Sequence, residues 1–335
     1  MISDMETAAK VARRAIGNYD TTDDAVITFV KYRENYVFKV EVPSGSYALR
    51  IHRSGYRSDN EIGEELDLLD LLEKFDIPVP HVRKTITGDR LCLVSDDAGD
   101  PHQVDMLHWV EGAEPLGDIG KAFLEKTPVE HDQFRAFGAL IGNFHKAMRS
   151  IEGHGRPVRP AWDADGLVGD RAIWGDPRRA FGDDTHGGAI IEDAVPVLIT
   201  ALEEYGRLPG RYGQIHADFT PENVLVDADH MTIIDFDDSG YGYYLFDLAT
   251  AFFFYQPHPQ SESILAALLD GYRGVRELDD YDYAALRPML LARGLTYLGW
   301  AADRPGDETS EFIFEHVRPV VVDLAAEFLR RHVTQ

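Results

Sequence analysis

The chain has 335 residues, 44% hydrophobic and 11% aromatic, enough to bury a substantial core and, by length, to form two structural units rather than one. Its 33 basic and 58 acidic residues leave a formal charge of -25, which excludes a general nucleic-acid binder because phosphate neutralisation needs clustered Lys and Arg. The acidic balance suits a cationic partner, but it equally describes a surface that keeps a protein dissolved in salt, so it does not choose a substrate.

The opening MISDMETAAKVARRAIGNYD lacks the basic, apolar and small-residue succession of a secretory signal. No apolar run reaches the roughly 18 residues of a membrane span, so a cytoplasmic protein with no membrane partner is expected. AVITFVKYR, YVFKVEV and SYALRIHR are rich in Val, Ile, Tyr and Phe, and the turn signal PSGS joins the last two, which predicts an antiparallel meander. From Asn60 to Lys74 the pattern becomes helical, with Ile62, Leu66, Leu69 and Leu72 on one stripe and DIPVP ending it. At about 100° per residue Glu65 falls near the centre of that stripe, so a glutamate faces inward.

A further strand pair follows in DRLCLV and HQVDMLHWV, where the single cysteine, Cys92, reads as core rather than nucleophile. EGAEP then marks a boundary, giving a β-rich lobe over 1–110 and a helical lobe over 111–335. GDIGKAF lacks the spacing and the Ser/Thr of a phosphate-binding P-loop. FRAFGALIGNFHKAMRSI is amphipathic, residues 153–185 read as loop, and ILAALLDGY, LRPMLLARGLTYLGW and VRPVVVDLAAEFLRR predict a helical tail.

The chemistry concentrates in QIHADFTPENVLVDADHMTIIDFDD. NVLVD and MTIID read as a β-hairpin across ADH; a turn centred on Asp229 would oppose Asn223 to Asp235. Opposed residues share a face, so an amide oxygen and a carboxylate can meet at one cation, and such hard oxygen ligands suit Mg2+. Asp218, on the loop before the hairpin with Pro221 keeping the chain non-helical, stands where a group orienting an incoming hydroxyl belongs. His216 serves either as a base or as a scaffold for the loop; scaffold is favoured because Asp218 already fills the polar role.

HADFTPEN followed by IIDFDD, and then YYLFDLA, resembles the catalytic loop and metal-binding segment of the aminoglycoside phosphotransferase and choline kinase family. ENYVFKVEVPSGSYALRIHRSGYRS, IPVP and GNFHKAM are similar to other parts of that family, and IDFDDSGYGYYLFDLA to its homoserine kinase-like, hydroxylysine kinase-like and stress-response branch. The resemblance implies an α+β, two-lobed protein-kinase-like fold, with an N-terminal antiparallel sheet plus one helix and a mainly helical C-terminal lobe carrying the catalytic hairpin. It implies transfer of the γ-phosphate of ATP or GTP to a small-molecule hydroxyl, with Asp218 as catalytic aspartate, Asn223 and Asp235 on Mg2+, and His216 supporting the loop. Asp237 and Asp238 meet either the metal's water shell or a substrate amine, or are solvated turn carboxylates. Asp247 ties the following segment to the catalytic loop.

By the same resemblance Arg50 replaces the phosphate-binding lysine of protein kinases, with the inward Glu65 as its natural partner and Glu61 as the fallback. VKYRENYVFKV has no glycine, so the backbone around Arg33, Glu34 and Asn35 would have to cover the phosphates. The nucleotide base is expected near Met106 and His108. Two other readings remain at this point: a Ser/Thr protein kinase of the stress-response type, and a nucleotide-binding pseudokinase, which the arginine and the glycine-free lid keep open.

Overall fold

The computed structural model describes residues 5–21, 24–32, 35–124, 129–151, 159–228 and 230–332. Helix α1 (Met5–Ala15) precedes strands β1 (Val26–Tyr32), β2 (Asn35–Val42) and β3 (Gly45–His52). Helix α2 (Asp59–Glu73) and strands β4 (Leu91–Ser95) and β5 (Pro101–His108) follow. All neighbouring pairs are antiparallel, in the order β1-β2-β3-β5-β4. The β2–β3 turn requires Gly45, whose φ of 142° is denied to other residues.

The sequence reading gave no element to the opening residues, yet α1 presents Ala8, Val11, Ala12 and Ala15 to a core shared with Phe38, Val40, Leu49 and Met106. Its apolar face is largely alanine, which carries little hydrophobic signal but lets a helix lie close to a sheet. Helix α2 starts at a capping box, Ser58 with Glu61, and buries Ile62, Leu66, Leu69, Leu72 and the expected Glu65.

After the short β6 (Glu114–Pro115) come α3 (Ile119–Phe123), α4 (His131–Ile151), α5 (Ala164–Val168), α6 (Thr185–Tyr205) and β7 (Tyr212–Ile215). The expected loop over 153–185 is mainly irregular among its described residues, 159–185; residues 152–158 lie outside them. The expected hairpin is β8 (Val224–Asp227) with β9 (His230–Ile233); its turn residue Asp229 lies outside the described residues. Then follow β10 (Gly240–Tyr243), α7 (Tyr244–Phe253), α8 (Ser261–Arg273), α9 (Asp280–Ala302), α10 (Glu308–Phe312) and α11 (Arg318–His332). Among the described residues no helix is long and apolar enough to cross a membrane.

Contacts divide the chain into two compact units, Met1–Glu114 with Leu225–Asp237, and Pro115–Val224 with Asp238–Gln335. The hairpin joins the first unit through a hydrogen bond from Ile233 N–H to the Pro78 carbonyl, 2.9 Å. In the second unit α4 packs on α8 almost backbone to backbone. A Cβ on Gly138 would stand 1.9 Å from the Leu268 carbonyl oxygen, and one on Gly271 would stand 1.8 Å from that of Arg135. Strands β7 and β10 pair antiparallel, Ile215 opposite Gly240, which anchors the start of the segment His216–Asn223.

Candidate active site

In the second unit, the loop after β7 is built around one buried carboxylate. Asp247, on α7 and fully buried, accepts the backbone N–H of His216 at 2.9 Å and of Ala217 at 2.8 Å, and His145 Nε2 lies 2.9 Å away. This geometry matches the tie expected of Asp247. Ala217 has φ 68°, a left-handed conformation that costs a non-glycine residue about 1–3 kcal/mol and persists only where its surroundings enforce it. Here its N–H is fixed by Asp247 and its carbonyl accepts from Arg293 Nη1 at 3.2 Å. The residue that follows this left-handed position is Asp218.

Asp218 keeps a quarter of its side chain exposed, whereas His216 is fully buried and its Nδ1 accepts the Asp218 N–H at 3.3 Å. Asn223 ends the 3-10 turn Pro221–Asn223, and its Nδ2 donates to Asp218 Oδ2 at 2.8 Å and to the Asp218 carbonyl at 2.9 Å. Arg293 Nη2 donates to Asp218 Oδ1 at 2.6 Å. Sequence reasoning missed Arg293. The available signal was an arginine inside the apolar run LLARGLTYLG, at helical spacing from Tyr297, whose hydroxyl accepts from Nη2 at 2.8 Å.

In the first unit, Arg50 and Glu65 meet as expected, with Nη1 donating to Oε1 at 2.8 Å, while Glu61 is engaged with Ser58 in the cap of α2. The stronger partner was not foreseen. Asp105 lies opposite Arg50 in the β3–β5 ladder and accepts from Nε at 2.8 Å and Nη2 at 2.7 Å, a bidentate fork. His52 Nε2 adds a 2.8 Å contact. Burial opposes ionisation of Asp105, but Arg50 and His52 outweigh it and hold its carboxyl well below the usual range. A mid-strand aspartate in HQVDMLHWV was the signal; recognising the pair needed the knowledge that β5 lies beside β3.

Asp237 is 4% exposed, so it is no solvated turn carboxylate; Asn35 Nδ2 donates to its Oδ2 at 2.6 Å, and Arg57 Nη2 to its carbonyl at 2.8 Å. Burial, then the Glu65 and Asp235 carboxylates, push its pKa well above the usual carboxylate range. Asp235, with φ 69°, is more open and stands 3.7 Å from Lys31 Nζ. Asn223 and Asp235 thus flank the strands of the hairpin rather than lie within them. Met106 is fully buried, while His108 is exposed at the end of β5 with its ring against Tyr47; burial and the neighbouring His81 and Arg83 lower its pKa. Arg33 and Glu34 lie outside the described residues.

In the second unit Asp238 departs from Asp237: its Oδ1 accepts from Trp174 Nε1 at 3.3 Å and its carbonyl from Trp162 Nε1 at 2.8 Å. Among the described residues no three His, Cys, Asp or Glu side chains gather into a metal cluster. Each expected ligand taken by itself has the hard oxygen that Mg2+ prefers: Asn223, with Nδ2 committed to Asp218, keeps its amide oxygen, and Asp235 has a carboxylate. Mg2+ typically takes about one or two such protein oxygens, the rest coming from water and phosphate.

The family model described as "Phosphotransferase enzyme family" matches residues 27–289. Among solved structures, the microcompartment-associated aminopropanol kinase is similar over 96% of this chain and 98% of its own, with 31% identity and a TM-score of 0.83. The amicoumacin kinase hAmiN in complex with AMP-PNP, Ca2+ and Ami is similar over 94% of this chain and 93% of its own, with 20% identity and a TM-score of 0.74. The curated homoserine kinase of Nitrobacter hamburgensis is 27% identical over 266 residues, 78% of this chain and 73% of that protein.

Proposed function

The chain belongs to the phosphotransferase enzyme family and is a kinase with a protein-kinase-like fold, and from that premise we propose that it moves the γ-phosphate of ATP to the hydroxyl of a small amino alcohol or hydroxy amino acid. The acceptor class follows from the relatives, whose names specify aminopropanol and homoserine. The observation that carries the mechanism is Asp218: a carboxylate pinned through both oxygens, next to a left-handed residue, and still a quarter exposed.

In this reading Asp218 accepts a hydrogen bond from the acceptor hydroxyl and aligns its oxygen for in-line attack, which is most of what a phosphoryl transfer asks of its protein. His216 keeps the loop in register and does not touch substrate. Asn223 and Asp235 would each offer an oxygen ligand to Mg2+, which would supply neutralisation of phosphate charge. Three of the five guanidinium N–H groups of Arg50 are donated to Asp105 and Glu65, so its phosphate contact uses the remaining two. Asn35 and Asp237 brace that end of the sheet, the backbone of β5 from Met106 to His108 bounds the nucleotide base, and Asp238 faces the amine of the acceptor.

The test is ADP formation with MgATP and a panel of 1-amino-2-propanol, ethanolamine, choline, homoserine and spectinomycin, with the phosphorylated product identified by phosphorus NMR. Asp218→Ala is expected to lose about 10³-fold or more in kcat with the KM for ATP little changed. Wild-type turnover by Asp218→Ala refutes the assignment, and transfer to protein in a lysate with no small-molecule product refutes the acceptor class.

A further inference from the structure

The proposed role of Asp218 leaves unexplained a guanidinium beside it that no solvent reaches. Arg293 is 0% exposed, in the middle of α9, and its contacts converge on the catalytic loop. Nη2 donates both to Asp218 Oδ1 at 2.6 Å and to the Tyr297 hydroxyl at 2.8 Å, and Nη1 donates to the Ala217 carbonyl at 3.2 Å. The rings of Tyr297 and Trp174 lie over the guanidinium carbon with centroids at 4.0 and 4.5 Å. Placing a cation in so dry a setting is costly unless it is paired, and Asp218 is the acid it pairs with.

We propose that Arg293 is a positioning residue for phosphoryl transfer: it sets the plane of the Asp218 carboxylate, so that the oxygen offered to the acceptor hydroxyl has one orientation. This rests on the phosphotransferase reading above and names a part of that machinery no motif contains. The argument is geometric. The hydrogen bond from Asn223 to Oδ2 restrains rotation about the Cβ–Cγ bond through one neutral donor; the charged donor on Oδ1 holds the other oxygen and narrows that torsion further. Because the same guanidinium grips the Ala217 carbonyl, it also braces the strained residue just before Asp218. Arg293 has no exposed surface with which to touch a substrate, so its effect passes through Asp218.

A positioning role separates kcat from KM. With MgATP and 1-amino-2-propanol, or whichever panel member the wild type uses best, Arg293→Met is expected to lower kcat by about 10²-fold, the scale of removing one fixed donor from a catalytic group. The KM values for ATP and acceptor are expected to stay within about threefold, as for an interaction realised in the transition state. Arg293→Lys, which restores charge without the fork, is expected to recover about tenfold of that loss. Tyr297→Phe removes one hydroxyl that orients Nη2 and is expected to cost about three- to tenfold in kcat with melting near that of wild type.

Arg293→Met with kcat within threefold of wild type overturns the proposal, as does a lysine variant no better than methionine with both KM values raised in proportion. Where Arg293→Met does not fold, Tyr297→Phe with unchanged kcat overturns it. A wild-type protein that forms no ADP with any acceptor is a different result: it refutes the phosphotransferase reading, and this role with it.

Discussion

Replacing Asp105 by asparagine keeps the shape of the side chain and removes its charge. The carboxylate is fully buried and takes three hydrogen bonds, two from the Arg50 fork and one contact with His52. An asparagine turns one accepting oxygen into an NH2 group facing a donor and leaves Arg50 with Glu65 alone. Breaking a buried ion pair by removing one partner costs about 3–5 kcal/mol where the other charge is left uncompensated; with Glu65 still on Arg50, the lower end of that range, about 3 kcal/mol, is expected. The loss should appear where the pair sits. In hydrogen exchange read by mass spectrometry, peptides covering β3 and β5 are expected to lose about 10²-fold in protection, at roughly 1.4 kcal/mol per factor of ten.

The effect also has a pH signature. The folded carboxyl titrates well below its unfolded value, so its stabilisation is complete above about pH 4 and is lost as pH falls toward the folded pKa. The difference between wild type and Asp105→Asn should therefore be largest at neutral pH and shrink below pH 4. Protection of β3 and β5 within threefold of wild type at pH 7 refutes the view that Asp105 holds Arg50 as a charge partner.

Three further outcomes follow from the same reasoning. Gly138→Ala drives a methyl group to 1.9 Å from the Leu268 carbonyl, so thermal unfolding should reveal a loss of about 3 kcal/mol; Gly63→Ala in α2, whose Cβ meets nothing within 4 Å, should instead gain about 0.5–1 kcal/mol. Asp247→Asn leaves one of the His216 and Ala217 amides facing an amide nitrogen, and urea unfolding should show a loss of about 2–3 kcal/mol together with a fall in kcat. Burial depresses the pKa of His145 despite the opposing pull of Asp247, so the unfolded histidine binds a proton first; stability should decline as pH falls below about 6.5, and His145→Gln should flatten that slope in urea titrations.

Local patterns in the sequence determined several parts of this protein. Enrichment in Val, Ile, Tyr and Phe in AVITFVKYR, YVFKVEV and SYALRIHR marked the strands, and helical periodicity placed Glu65 inward, because both depend only on neighbours within one element. HADFTPEN and IIDFDD pointed to phosphoryl transfer through their resemblance to a known kinase family. Helix α1 escaped notice because a face of small alanines resembles no hydrophobic stripe until a sheet lies against it.

Tertiary structure decided the rest. Asp105 became the partner of Arg50 because β5, fifty-five residues later, was laid beside β3 while β4 took the edge. Asn35 met Asp237 across 202 residues of chain, and Arg293 reached Asp218 across 75. Such pairs carry no spacing rule, because buried polar groups find each other through packing rather than through chain distance. A sequence can show that an arginine sits in an apolar helix and an aspartate in a strand; only the fold determines which opposite charge each must meet in the absence of water.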